Sequence, residues 1–410
     1  MRLFGLLGLI MGIILYILIY RKNKDVFQPT SLMMIIWWVG AFIASLKLAP
    51  FQHEWSYKTM FCIFITGFIL YLITISKIPY IYFRINKKKK NTIDKSFLII
   101  IKLFFFFCLI CTLYISFYVR KYGIRSESMD QKTMAISLVR QMNPIIQYGH
   151  MLLPYYALCA IFALLYGPRT IKNRLFFIIS FLYATFYFLI IIRSRDNLTS
   201  FLFGSLFLFA KKEKWNLSKA VRIMLLAIIG LSVFVIIRVD SQSAIYNGIF
   251  NHPFLNATYN YFASSYENLN SIINNKPINI PLANTFVLFY KLLGIYDENT
   301  MLSGKIYTVY GIYNSSPMIG GYYFDLGILG IFFGVTFIGV ILKRTYQRSR
   351  HNIYYILFLS MFMKGVFTTP LGDNIINHGS FNALVGYLIL FIICLYAQRS
   401  RHIVSYGKIS

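Results

Sequence analysis

The sequence predicts an all-α, polytopic integral membrane helix bundle with a large external loop containing amphipathic helices. Three observations carry that reading. Hydrophobic residues fill 58% of the 410 positions and the mean hydropathy is +0.61, beyond the apolar content of ordinary soluble domains. Apolar runs of about 17 residues or more recur along the chain, the length that crosses a bilayer as a helix. Basic residues fall in short clusters between those runs, on alternate connections.

Taken in order, the apolar runs give eleven spans, near 3–20, 31–49, 59–78, 97–119, 148–166, 175–192, 197–210, 223–239, 317–342, 353–370 and 381–397. One set of alternate connections holds Arg21/Lys22/Lys24, Lys77 to Lys95, Arg169/Lys172/Arg174, Lys211 to Arg222, Lys343 to Arg350 and the tail from Arg399. That set carries 25 of the 41 Lys and Arg and is assigned to the cytoplasm. The N-terminus then lies outside and the C-terminus inside. A net charge of +28 distributed this way belongs to membrane topology and excludes a nucleic-acid partner, which would need the charge on one soluble face. Cys62, Cys108, Cys111, Cys159 and Cys394 all fall within spans, so neither a disulfide framework nor a metal site is expected, and no cofactor is implied. No cleavable signal peptide is read in the first span.

The whole chain is read as a single membrane domain with two external segments large enough to fold. The first covers 120–147 and includes Arg125 and Arg140, with a helix expected from the capping sequence Ser128-Met-Asp-Gln131. The larger covers 240–316. Within it Tyr259, Phe262, Tyr266, Leu269 and Ile273 recur at three and four residues, with Asn260, Glu267 and Asn270 on the other face. The pattern predicts an amphipathic helix on the outer membrane surface that either caps the bundle or gates substrate.

Charge meets hydrocarbon at Ile190 to Ser200, where Arg193, Arg195 and Asp196 stand between two apolar runs. Arg195 lies 16 residues before cytoplasmic Lys211, and Arg238 lies 16 residues beyond Arg222. At about 1.5 Å per residue both reach about 24 Å along their helices, near the outer boundary of a hydrocarbon core about 30 Å thick. Lys364, 14 residues beyond Arg350, is placed about 21 Å up the tenth span on the same measure. One arginine at such a depth is an interfacial anchor. Several at matched depth beside a short span form a cationic bowl suited to a phosphate or pyrophosphate, because the guanidinium fork donates two hydrogen bonds at once. Lys102, close to the cytoplasmic boundary, is read as plain snorkelling. Candidate acid–base groups are Asp196, Asp240, Glu267, Asp297, Glu298, Asp325 and Asp373, with His252 and His378 read as loop residues. Asp325, some eight residues into the ninth span, is either catalytic or ion-paired to an arginine.

The order of these parts resembles the Wzy-type oligosaccharide repeat-unit polymerases of O-antigen and capsule synthesis, a group similar to the O-antigen ligases. The matching pieces are Arg193-Ser-Arg195, Arg238-Val-Asp240, Tyr266-Glu-Asn-Leu-Asn270, Tyr313-Asn314 and Tyr323-Phe-Asp325-Leu-Gly327, over roughly residues 175 to 342. The resemblance implies a bacterial cytoplasmic (inner) membrane protein acting on undecaprenyl-pyrophosphate-linked oligosaccharide, with membrane lipids, a flippase and a chain-length regulator as partners. It implies that Arg193, Arg195, Arg238 and Lys364 bind pyrophosphate. Arg125, Arg140, Tyr266, Asn270, Tyr313 and Asn314 would contact the glycan. Where the ligase branch has a His-Asn pair, this chain has Tyr313-Asn314, so the base falls to Asp325, Glu267 or Asp240, or is dispensable. The alternative is a lipid-linked oligosaccharide flippase or other transporter. It predicts charge through the bundle centre and small external loops, whereas here the charge gathers toward one side. A membrane group-transferase is disfavoured because no histidine is read within a span.

Overall fold

Turn and capping chemistry sets the helix boundaries. Pro29 opens one helix and Pro144 another, each at a first position where a missing N–H costs nothing. Ser56 caps a third by accepting from the Thr59 N–H at 3.2 Å. In the structure, a computed structural model, residues 1–76, 93, 95–122, 138–139, 141–168, 170–192, 195–223, 226, 250, 253–275, 316–350 and 352–372 are described. Their elements, all helical, are α1 (Arg2–Asn23), α2 (Pro29–Ser45), α3 (Tyr57–Ile75), α4 (Lys95–Tyr122) and α5 (Pro144–Tyr166), then α6 (Ile171–Phe186) running into a π-helical turn (Tyr187–Ile191). After these come α7 (Arg195–Glu213), α8 (Pro253–Asn275), α9 (Ile319–Ser349) and α10 (Tyr354–Phe367). Six helices among the described residues are long and apolar enough to cross a membrane: α1, α3, α4, α5, α6 with its π turn, and α9. The protein is therefore a multi-pass membrane helix bundle. The spans read at 223–239 and 381–397 lie almost wholly outside the described residues.

The helix surfaces carry the inverted logic of a membrane protein, with large apolar residues outward and small residues at the contacts. On α4 an exposed stripe runs Ile99, Leu103, Phe106, Ile110, Leu113, Phe117, while Phe97, Ile101, Cys108 and Thr112 are buried on the other face. On α1, Leu3, Leu7 and Ile14 face out, and Gly8 and Gly12 lie against the indole of Trp38. A Cβ at Gly8 would stand 2.2 Å from that ring, and one at Gly67 of α3 would stand 2.6 Å from it, so one tryptophan fits between three helices only over glycine.

The chain divides into two compact units. The first comprises Met1–Tyr80, Glu213–Arg344 and Gly365–His378. Here α8 lies on the corner joining α2 to α3, and Tyr259 and Ala263 share a buried cluster with Ala49 and Phe51 of that corner. Lys343 on α9 is buried and donates to the carbonyls of Ile73, Thr74 (2.8 Å) and Ser76, satisfying the open C-terminal turn of α3. The second unit comprises Ile81–Lys212, Thr345–Lys364 and Gly379–Ser410. There Phe105 of α4 packs on Tyr156 of α5 at 5.0 Å and Phe176 of α6 at 5.4 Å, and Tyr156 donates to Ser180 Oγ at 2.7 Å. Lys102, expected simply to snorkel, reaches Asn173 Oδ1 at 2.9 Å at the start of α6.

Candidate functional site

The charged stretch 190–200 forms the tip of a helical hairpin. The π turn ends at Ile191 and α7 begins at Arg195. The arms pack through Phe181 and Phe188 against Phe201, with ring centroids at 5.7 and 6.1 Å. Because α7 is continuous from Arg195 to Glu213, the rise of about 24 Å between Arg195 and Lys211 holds along one straight element.

Lys364 lies on α10. The chain turns between Arg350 and Tyr354, and only ten residues of α10 precede Lys364, about 15 Å of rise rather than 21. Lys211 on α7 stacks over Tyr346 of α9 at 4.5 Å, and a Cβ at Gly204 would lie 2.6 Å from the Ser360 carbonyl of α10. Lys364 stands one turn past Ser360 on α10. Of the proposed pyrophosphate residues, Arg195 and Lys364 belong to one unit; Arg193 and Arg238 lie outside the described residues.

In the first unit α8 gathers a polar set. Glu267 accepts from the His53 backbone N–H at 3.0 Å, and its other oxygen lies 2.6 Å from His53 Nδ1. Asn270 Oδ1 accepts from Thr59 Oγ1 at 2.7 Å and from the Ser56 N–H at 3.2 Å, while its amide donates to the Glu54 carbonyl at 3.3 Å. Tyr266 is fully buried, stacked on Trp55 with centroids 5.5 Å apart, and donates to the Trp37 carbonyl at 3.2 Å. Tyr259 accepts from the Leu48 N–H at 2.7 Å and donates to Gln52 Oε1 at 2.5 Å, and burial pushes its phenol above the ordinary tyrosine value.

This arrangement corrects the expected split of α8 into apolar and water-facing sides. Asn260, Asn268 and Asn270 are buried too, and Asn270 supplies partners that the backbone of the α2–α3 corner needs. Tyr266 and Asn270, which the resemblance assigns to the glycan, fasten that corner.

Asp325 is fully buried on α9, directly before a break in the helix: Leu326 has φ −141° and ψ 17°, and Gly327 has φ 61°. Glycine takes that left-handed value without a Cβ clash. Phe324 beside it packs on Ile272 of α8, so α8 links the Glu267 region to the Asp325 break within one unit. Asp240, Arg125, Arg140, Tyr313 and Asn314 lie outside the described residues, as do most of 120–147 and 240–316.

Two histidines escaped the sequence reading. His53 sits in the short 50–56 connection, on the side the basic clusters assign to the exterior, and three quarters of its side chain is exposed. His150 overturns the expectation that no span contains a histidine. It is buried in α5, and Nδ1 lies 2.9 Å from the Tyr187 hydroxyl on the π turn. Its place inside 148–166, four residues before Pro154, is visible in the sequence.

Fold and charge together define the class, a helical multi-pass membrane protein with polar and ionisable clusters at the ends of its helices. The chain matches no known family model, no curated protein and no solved structure.

Proposed function

We propose that the protein polymerises undecaprenyl-pyrophosphate-linked oligosaccharide repeat units into a surface polysaccharide at the outer face of the bacterial cytoplasmic membrane. The observation that supports this reading is that the backbone of Arg195 opens α7 directly after the π turn that ends at Ile191, so the charged stretch of the sequence falls between two helix ends. The resemblance in motif order to the Wzy-type polymerases supports it independently.

In the reaction a hydroxyl of the acceptor sugar attacks the anomeric carbon of the donor. A new C–O bond forms, the bond from that carbon to the pyrophosphate oxygen breaks, and the lipid pyrophosphate departs with the bonding electrons. Arg193, Arg195, Arg238 and Lys364 stabilise the charge that develops on the leaving group. The hydroxyl proton passes to a base. Asp325, Glu267 and Asp240 are the carboxylates put forward for that role, unless the pyrophosphate leaving group makes a strong base unnecessary.

A deletion strain tests this reading through its glycan. Loss of polymer with single lipid-linked repeat units accumulating on the outer face is expected. Accumulation on the cytoplasmic face would identify a flippase instead, and unchanged polymer would refute both.

A further inference from the structure

Two irregularities of backbone face each other in the second unit. In α5, Pro154 lacks the N–H that would bond the carbonyl of His150, four residues earlier. At the end of α6 the helix widens into a π turn, closed by the Ile192 N–H on the Tyr187 carbonyl at 3.0 Å. Single π turns inside α-helices concentrate at functional sites. The side chains of the same two residues, His150 and Tyr187, join at 2.9 Å.

The surroundings leave this pair little freedom. A Cβ at Gly149 would lie 2.3 Å from Cys111 Cβ, so α5 is pressed onto α4 and the imidazole cannot withdraw. Its ring packs on Phe188 at 5.9 Å, and Tyr187 stacks on Tyr183 at 6.4 Å, whose hydroxyl meets Thr112 Oγ1 at 2.7 Å. Side-chain contacts thus run from α4 through α6 and the π turn to α5, with hydrogen bonds at both ends and a ring stack between. Phe188 in turn touches Phe201 on α7, and the chain passes from Ile191 to Arg195 in three residues. A buried histidine in a membrane helix is costly unless used, and this one is spent on the turn that leads into the arginines.

We infer that His150 and Tyr187 are a positioning pair that sets the π turn, and through it the point at which α7 starts, the helix end to which the pyrophosphate reading assigns its headgroup. The inference rests on the pyrophosphate reading above for its ligand, and on the geometry alone for the pairing. A purely structural hydrogen bond would alter stability without altering headgroup affinity.

The test uses the full chain in lipid nanodiscs, as wild type and as His150→Leu, His150→Asn, Tyr187→Phe and the His150→Leu/Tyr187→Phe double variant. Hydrogen exchange over residues 187–200 and affinity for undecaprenyl pyrophosphate are measured, with thermal melts checking that each variant is folded. Loss of one buried hydrogen bond is expected to speed exchange and weaken binding, each about ten-fold, in His150→Leu and in Tyr187→Phe. The double variant should be no worse than either single one, and His150→Asn, which keeps a polar partner, should recover most of both. Exchange and affinity unchanged in His150→Leu, or additive losses in the double variant, would overturn the pair. A wild type that fails to bind undecaprenyl pyrophosphate would overturn the headgroup assignment, while the exchange data still judge the pairing.

Discussion

The corner at Leu46–Ser56 and the hairpin tip at Ile192–Arg195 are both short connections at helix ends, yet they are built in opposite ways. The corner is fastened by side chains from α8: Tyr259, Glu267 and Asn270 between them engage the Leu48, His53 and Ser56 N–H groups and the Glu54 carbonyl. These partners lie more than two hundred residues away, whereas the Ala49 N–H is taken locally by Gln52 Oε1. The tip is held by aromatic packing along its arms, Phe181 and Phe188 on Phe201, and gathers ionisable residues at its end. A connection that spends its polar groups on backbone is built for stability. The other places a charged stretch of sequence beyond apolar arms, where the proposed function assigns its anionic ligand.

Variants that separate stability from activity sharpen this contrast. The largest effect is expected from Arg195→Gln at the tip. Polymer formation should fall about 100-fold, the scale for removing one charge-stabilising donor, while the thermal midpoint stays near that of wild type. Full-length polymer in a normally expressed variant would break the contrast from the functional side.

Asn270→Ala attacks the corner and should do the reverse. It removes acceptors from buried Thr59 and from the Ser56 N–H, a loss of about 2–3 kcal/mol visible in a denaturation curve. Gly327→Val forces a β-branched residue to φ 61° beside Asp325, with an expected cost of about 1–2 kcal/mol and a lower melting temperature. Tyr266→Phe keeps the stack on Trp55 and loses only the bond to the Trp37 carbonyl, so about 1 kcal/mol is expected. A loss from Tyr266→Phe larger than that from Asn270→Ala would show that packing, not polar fastening, holds the corner.

The smallest effect concerns the exposed pair Lys47 and Glu54, 2.8 Å apart at the corner's surface. The hydrogen bond from Lys47 and its charge hold the Glu54 carboxyl below the usual glutamate value. A depressed carboxylate contributes stability that is present above its unfolded value and fades as pH falls through the folded one. Solvent screens so exposed a pair, so Glu54→Gln should leave the neutral melting temperature almost unchanged and flatten only a slight acid-side slope. A large neutral shift would contradict this.

Much of the architecture is legible in the sequence because hydrocarbon leaves a helix few alternatives. Apolar runs of sufficient length mark α1, α3, α4, α5, α6 and α9, since backbone polar groups in a bilayer must be satisfied within the segment. The reversal after Ile191 is announced by Arg193, Arg195 and Asp196, and the break after Asp325 by Gly327. The 3.6-residue period of Tyr259, Tyr266 and Ile273 foretells α8, but not what lies against its polar side. Helical periodicity describes one element, whereas burial of Asn260 and Asn270 depends on the element that covers them.

By itself, then, the sequence determined that the chain crosses a membrane many times and which residues stand at the helix ends. Tertiary structure alone decided the pairings: Lys343 on the end of α3, Glu267 on His53, and His150 on Tyr187. The physical reason is that hydropathy and helix period act on neighbouring residues. A hydrogen bond between residues 37, 214 or 269 positions apart exists only after packing has brought two helices together.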